Sequence, residues 1–176
     1  MRTIGFMIAM LMLAGVLPAG SASDPAAMLK IGSVMGVDET PVFQMRALDG
    51  REIDSAELKG KVVVLNFWAT WCGPCKEEMP ALERLRRQVD GDKVVLAAVT
   101  TDMQRDGIRA FVKQLGLNFP IWLDEDRSVS AAFLVRGLPT TVFIGADGRL
   151  AGRAVGPRDW DSADAVAFVK SLEGTR

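Results

Sequence analysis

The pattern of apolar and polar positions along the chain predicts strands that alternate with helices. The runs at residues 62–68 and 94–99 are apolar on both faces of an extended chain, which is typical of strands in the middle of a sheet. Helical spacing of apolar residues follows each run and appears again towards the C-terminus. The predicted helices cover about residues 75–88, 104–115, 128–134 and 161–172.

Two hairpins are predicted on either side of this region. Asp49 with Gly50, and Asp147 with Gly148, are turn signals between short strands. A further short strand is expected at residues 121–123. Strand–helix alternation implies parallel strands, whereas hairpins add antiparallel ones. We therefore predict an α/β fold with a mixed central sheet flanked by helices.

The N-terminal segment differs from the rest. Arg2 precedes a long uncharged apolar stretch, and the small residues Gly20 and Ala22 stand where a signal peptidase reads the chain. An uncleaved membrane anchor is the alternative, since about 20 apolar residues can span a bilayer. Either way we expect a domain exported to the periplasm or its equivalent. The predicted segments are a signal peptide at 1–22, a linker at 23–40 and one domain at 41–176.

The composition of the chain excludes several classes of binding and catalytic site. The 21 Lys and Arg against 22 Asp and Glu give a net charge of -1, which argues against binding of nucleic acid. The chain has no histidine, so Ser/His and Cys/His nucleophile pairs and imidazole zinc sites are excluded. The only two cysteines, Cys72 and Cys75, are too close together to staple a fold and indicate local chemistry.

The cysteines lie where a buried strand turns into a helix. The dipole and unpaired N–H groups of a helix start stabilise a thiolate, so we expect a lowered pKa for Cys72, the attacking thiol. Cys75, one turn further, is expected to be more buried and to resolve the mixed disulfide. Gly73 is expected to permit the turn, and Pro74 is tolerated in a first helical turn. A structural disulfide or a two-thiolate metal clip is the alternative interpretation.

Three motifs together resemble a known family. Residues 67–76, FWATWCGPCK, resemble the active site of thioredoxin-fold proteins. Asn66, the Glu-Met-Pro at 78–80 and the Gly-Leu-Pro-Thr-Thr at 137–141 narrow the resemblance to the extracytoplasmic TlpA/ResA/CcmG family of thiol-disulfide oxidoreductases. The resemblance covers roughly residues 41–176. It implies a thioredoxin fold with an N-terminal hairpin and a central insertion.

The resemblance also implies a function. Members of this family mostly reduce disulfides in cytochrome c maturation, sporulation or related assembly, and a membrane thiol transporter supplies their electrons. We therefore expect protein disulfides as substrates, such a transporter as reductant, no cofactor, no metal, and membrane contact only through a retained N-terminus. A thiol peroxidase is an alternative, although Ala69 stands where that class has threonine. A metal carrier using both thiolates is another.

Further residues complete the predicted site. The resemblance implies that Pro139 is cis and faces the cysteines, where a substrate strand can pair beside Leu138. Trp71 is expected to cover the sulfur of Cys72 and, with Gly73 and Pro74, to contact substrate.

Glu78 is the candidate proton shuttle. Thioredoxin has a buried aspartate where this chain has Asn66, which cannot carry a proton. Helical spacing puts Glu78 on the core-facing stripe with Cys75, whereas Glu77 faces water. Desolvation should then raise the pKa of Glu78 and allow proton exchange with Cys75. A solvated carboxylate is the alternative.

Overall fold

A mixed sheet of seven strands forms the centre of the structure, a computed structural model that describes residues 24–33 and 39–174. In chain order the strands are β1 (Gln44–Ala47), β2 (Glu52–Asp54), β3 (Val62–Trp68), β4 (Val94–Thr100), β5 (Ile121–Leu123), β6 (Thr140–Ile144) and β7 (Leu150–Val155). Across the sheet their order is β2-β1-β5-β4-β3-β6-β7. β4 pairs in parallel with β3 and β5, and the other neighbours are antiparallel. The predicted mixed sheet is confirmed.

Helices cover both faces of this sheet, as predicted. They are α1 (Pro25–Met28), α2 (Gly73–Gln88), α3 (Arg105–Leu115), α4 (Ser128–Ala132) and α5 (Ala163–Ser171), with 3-10 turns at Ser55–Leu58 and Leu172–Gly174. α3 ends at Gly116, whose left-handed backbone (φ 62°) is the helix end that the sequence indicates. Ser162 caps the start of α5, because its side chain accepts a hydrogen bond from the N–H of Ala165 at 3.3 Å.

β3 divides the interior into two packed layers. Its seven residues are all buried, and successive side chains point to opposite faces of the sheet. Val64 and Trp68 join the layer that contains α2 and α5, whereas Leu65 and Phe67 join the layer that contains α4. Asn66 shares the face of Val64 and Trp68. An amide side chain therefore lies under α2.

The two predicted hairpins are present at the edges of the sheet. β1 pairs with β2 across a turn in which Gly50 has a φ of 95°, and β6 pairs with β7 across a turn in which Gly148 has a φ of 78°. β1 also pairs with β5, with Arg46 opposite Leu123. The N-terminal hairpin therefore extends the sheet beyond β5.

Part of the expected linker is folded onto the domain. α1 packs on α5, and Leu29 after it is 6% exposed. Gly32 and Arg153 exchange two backbone hydrogen bonds of 3.0 and 2.8 Å, which fixes the segment to β7. Asp24, which caps α1 ahead of Pro25, is a sequence signal for a helix start in this segment. The predicted signal peptide at 1–22 lies outside the described residues, within which no helix is long and apolar enough to cross a membrane.

Glu83 ties α2 to the segment before β5. Its side chain is 5% exposed and accepts hydrogen bonds from Arg86 at 2.8 Å and from the backbone N–H of Asn118 at 2.9 Å. Burial favours the neutral acid, but Arg86 and Asn118 outweigh it and lower the pKa of Glu83 to about 2. The charged carboxylate is thus part of the native packing.

We expect Glu83→Gln to lower the free energy of unfolding at pH 7 by about 2 kcal/mol, because hydrogen bonds to a charged group are lost. A depressed native pKa gives stability that is present above the unfolded value near 4.5 and is lost as the pH falls towards 2. The difference between wild type and variant should therefore shrink between pH 7 and pH 3 in urea titrations. Glu77→Gln, on the exposed side of the same helix, is the control. An equal difference at both pH values would contradict this role.

Candidate active site at the start of α2

Cys72 and Cys75 are joined by a disulfide at the start of α2. Cys72 has an extended backbone and is the N-cap residue, and its Sγ accepts the backbone N–H of Cys75 at 3.3 Å. The helix thus begins at Gly73, two residues earlier than the spacing predicted. The Cys72 sulfur occupies the place that a capping oxygen usually takes, where a negative charge is stabilised.

The two sulfurs differ in their access to solvent. Cys72 is 6% exposed, whereas Cys75 is fully buried. Pro74 lies in the first helical turn, as expected. The expectation that Gly73 permits the turn is wrong, since Gly73 is the first helical residue and its φ is not left-handed. A Cβ on Gly73 would have no heavy atom within 4 Å, so the backbone beside Cys72 is open to a partner.

Two tryptophans, one at the end of β3 and one in the loop between β3 and Cys72, have opposite environments. Trp68 is 1% exposed and stacks on Phe111, with ring centroids 4.7 Å apart, so it belongs to the core. Trp71 is 73% exposed at the rim of the site. The loop is held by Asp102, which accepts the backbone N–H of Thr70 at 2.6 Å. The sequence alone does not indicate this role of Asp102, since it lies 32 residues further along the chain than Thr70.

The segment before β6 forms the opposite wall of the site. The bond between Leu138 and Pro139 is cis. Thr140 donates its hydroxyl to the carbonyl of Gly137 at 2.7 Å and pairs with Phe67 of β3, which brings this segment next to the cysteines. Cys72, Trp71, Gly137 and Leu138 line one open cleft of about 490 Å³.

Glu78 lies inside the protein, as its helical position predicted. The residue is only 2% exposed, and its side chain lies on the same buried face of α2 as Cys75. Asn66 Nδ2 donates to Oε1 at 2.7 Å, while Trp160 Nε1 and the backbone N–H of Arg158 donate to Oε2 at 2.8 and 3.1 Å. Desolvation raises the pKa of Glu78, and the three donors only partly offset that effect.

Asn66 is a fixed hydrogen-bond donor under the active site. Its Nδ2 also donates to Thr141 Oγ1 at 3.0 Å, and its Oδ1 has no partner among the described residues. The sequence alone does not connect Trp160 and Arg158 with Glu78, because 82 and 80 residues separate them from it. One general signal is that a buried indole N–H usually has an acceptor.

No three side chains of His, Cys, Asp or Glu within residues 24–33 and 39–174 are grouped so that they could hold a metal ion. The reactive groups that the structure places together at the site are two sulfurs and one buried carboxyl group. Cys72 faces an open cleft, while Cys75 and Glu78 lie behind it. This arrangement can exchange a disulfide with an external partner and move a proton internally.

Comparisons with known proteins agree with this chemistry. The AhpC/TSA family model matches residues 37–153. The thiol-disulfide oxidoreductases ResA of Bacillus subtilis (strain 168) and Bacillus anthracis are 37% and 36% identical over 118 residues, which are 67% of this chain and 66% and 68% of theirs. A solved structure of a secreted Mycobacterium tuberculosis disulfide oxidoreductase homologous to E. coli DsbE has 28% identity and a TM-score of 0.63, over 73% of this chain and 95% of that one.

The sequence motifs, the fold and these comparisons lead to one assignment. The family model covers more than half of the chain. The alignments with the ResA relatives cover about two thirds of the length of each relative. The resemblance inferred from the motifs is thereby confirmed. The chain belongs to the AhpC/TSA family, as a thioredoxin-fold protein of the thiol-disulfide oxidoreductase type represented by ResA.

Proposed function

We propose that the protein is an extracytoplasmic reductase that opens disulfide bonds of other proteins by dithiol exchange, in a process such as cytochrome c maturation. One observation carries the proposal: Cys72 caps α2 at an open cleft, and the fully buried Cys75 lies directly behind it. The uncharged N-terminal segment supports export, and so does the likeness to a secreted oxidoreductase.

The exchange proceeds in two steps. The Cys72 thiolate attacks one sulfur of the substrate disulfide and forms a mixed disulfide, and the other substrate sulfur leaves as a thiolate that takes up a proton. Cys75 then loses its proton and attacks the Cys72 sulfur, which releases the second substrate thiol. The substrate gains two electrons and two protons, and the protein is left with the Cys72–Cys75 disulfide seen in the structure. A membrane thiol transporter would return the two electrons.

Glu78 is the group that accepts and returns the proton of Cys75 in this mechanism. The two side chains are three positions apart on α2, so they are neighbours on its buried face. A carboxylate there can accept the Cys75 proton when that thiol attacks, and the acid can return it when Cys75 leaves. The raised pKa brings the carboxyl group closer to neutrality, where both forms are accessible.

Apolar rim residues and a free backbone edge suit a polypeptide substrate. Trp71 and Met103, 73% and 77% exposed, follow β3 and β4, which end side by side at Trp68 and Thr100. On the facing wall, neither the N–H nor the C=O of Leu138 has a hydrogen-bond partner among the described residues. An extended chain can pair with such an edge as an added strand.

The same geometry argues against the peroxidase alternative. Thiol peroxidases place a threonine three residues before the reactive cysteine, and the fully buried Ala69 occupies that position here. Ala69 has no side-chain hydroxyl to bind a peroxide or to orient a thiolate. Disulfide exchange needs no such group.

The roles of the two cysteines can be tested by alkylation. In reduced protein, limiting iodoacetamide near neutral pH should label Cys72 well before Cys75, because Cys72 is the accessible thiol and the helix start stabilises its thiolate. Peptide mapping by mass spectrometry measures the ratio. Equal labelling, or labelling chiefly at Cys75, would contradict the assignment.

The proposed activity can be tested with insulin. The wild-type protein should accelerate insulin reduction by dithiothreitol, and Cys72→Ser should abolish the acceleration because the attacking thiol is missing. Cys75→Ser should instead accumulate a mixed disulfide through Cys72, visible on a non-reducing gel. A wild-type protein that does not exceed the rate of dithiothreitol alone would falsify the proposal.

Glu78→Gln should leave Cys72 alkylation and the fold nearly unchanged but slow turnover, by a factor on the order of 10², the lower end of general acid–base effects. In wild type the rate should rise with pH through the raised pKa of Glu78, as its base form appears. The variant should lack that limb of the pH–rate profile. Glu77→Gln, one residue away on the exposed side of α2, is the matched control. If both variants behaved alike at every pH, Glu78 would have no part in proton transfer.

A further inference from the structure

The cleft beside Cys72 is lined by positive charge on one wall. Trp71, Gly73 and Pro74 form the wall that belongs to α2 and its preceding loop, while Arg127 and Arg136 belong to the facing wall. None of the described residues that line the cleft is Asp or Glu. The cleft through which a substrate must reach the sulfur is therefore lined by two guanidinium groups and by no carboxylate of the described residues.

These two arginines lack the side-chain partners that most described arginines have. Seven arginines form ion pairs with carboxylates, namely Arg46, Arg51, Arg84, Arg86, Arg87, Arg105 and Arg109. Arg153 and Arg158 donate to backbone carbonyls. The side chains of Arg127 and Arg136 are exposed and make no ion pair or hydrogen bond with any described residue. Their donors are free to bind a ligand in the cleft.

The backbone holds Arg127 in place despite an unfavourable conformation. Its φ is 61°, a left-handed value that costs a residue with a Cβ about 1 kcal/mol or more. The turn is fixed from both sides, because Asp124 accepts the N–H groups of Val129 and Ser130 at 3.0 and 2.8 Å and the N–H of Arg127 donates to the Asp124 carbonyl at 3.1 Å. Strained residues of this kind concentrate at binding sites.

The second arginine is also on a fixed segment. Arg153 of β7 donates Nη1 to the carbonyl of Leu134 at 2.9 Å, two residues before Arg136. Arg136 itself precedes Gly137 and Leu138, which line the same cleft. Both guanidinium groups therefore extend from anchored backbone next to the place where a substrate strand would lie.

We propose that Arg127 and Arg136 select substrate segments that carry Asp or Glu beside the reactive disulfide. This inference rests on the proposed function and names its substrate class: an extended segment of a disulfide-containing protein, acidic where it meets the two arginines and apolar where it meets Trp71. Guanidinium groups bind carboxylates through paired, charge-assisted hydrogen bonds. Exposed pairs of this kind change binding by about threefold each, and thus by about tenfold for the two together.

The test compares matched peptide disulfides. Three homodimeric peptides, each linked through one central cysteine, differ only in whether the flanking residues are Glu, Gln or Lys. Reduced protein is mixed with excess peptide, and its oxidation is followed in single-turnover experiments. The measured quantity is the rate with the Glu peptide divided by the rate with the Lys peptide. Dividing this ratio in wild type by that in a variant cancels the intrinsic reactivity of each peptide.

Arg127→Gln/Arg136→Gln should lower the Glu-to-Lys ratio about tenfold relative to wild type, and 1 M salt should lower the wild-type ratio similarly. Arg149→Gln is the matched control. The Arg149 side chain is exposed and has no described partner, but it lies in the β6–β7 turn at the opposite end of the sheet, so the ratio should not change. Arg136→Glu alone should shift the preference towards the Lys peptide and tests the same inference if the double variant does not fold.

Reduction of the small uncharged 2-hydroxyethyl disulfide tests the oxidoreductase activity separately from the selection of acidic segments. Its rate should stay within about twofold in all arginine variants, since it carries no carboxylate for a guanidinium group to bind. Equal Glu-to-Lys ratios in wild type, the double variant and Arg136→Glu would overturn the selection of acidic segments, while continued reduction of the small disulfide would leave the oxidoreductase function standing. Failure of wild type to reduce any of these disulfides would instead contradict the proposed function itself.

Discussion

The buried carboxyl group of Glu78 is the interaction on which the geometry of the site depends. A carboxylate removed from water is costly unless donors surround it, and here three donors come from two distant parts of the chain. Asn66 lies on β3, Trp160 lies ahead of α5, and the N–H of Arg158 belongs to the segment after β7. Glu78 thereby fixes α2 to the sheet and to the C-terminal segment, and places a titratable group behind Cys75.

In the proposed mechanism, proton exchange and substrate contact take place on opposite sides of the start of α2. Towards the interior, Cys75 and Glu78 are buried and shielded from water, which suits proton exchange between fixed groups. Towards the exterior, Cys72 opens on a cleft bounded by Trp71 and Leu138, which suits contact with a polypeptide. The disulfide lies at the boundary, so one covalent bond connects the solvent side to the interior.

Much of the fold follows from local pattern. The sequence predicts the strands at Val62–Trp68 and Ile121–Leu123 to the residue, because a buried strand is a short run of mainly apolar residues. Helix starts were less accurate, since a cap decides them: α2 begins at Gly73 because a cysteine takes the N-cap position. The docking of α1 on α5 was missed because a four-residue helix has almost no periodicity to detect.

The sequence by itself determined the cysteine pair, its place at a helix start and the inward direction of Glu78, because each depends on spacing within one element. It could not determine the partners of these groups. Trp160 reaches Glu78, and Arg127 and Arg136 reach the cleft of Cys72, only after distant segments have been brought together. Long-range strand pairing and the burial of two apolar layers decide that placement. The reacting groups of the site are thus set by local sequence, whereas the residues that surround them are set by the tertiary structure.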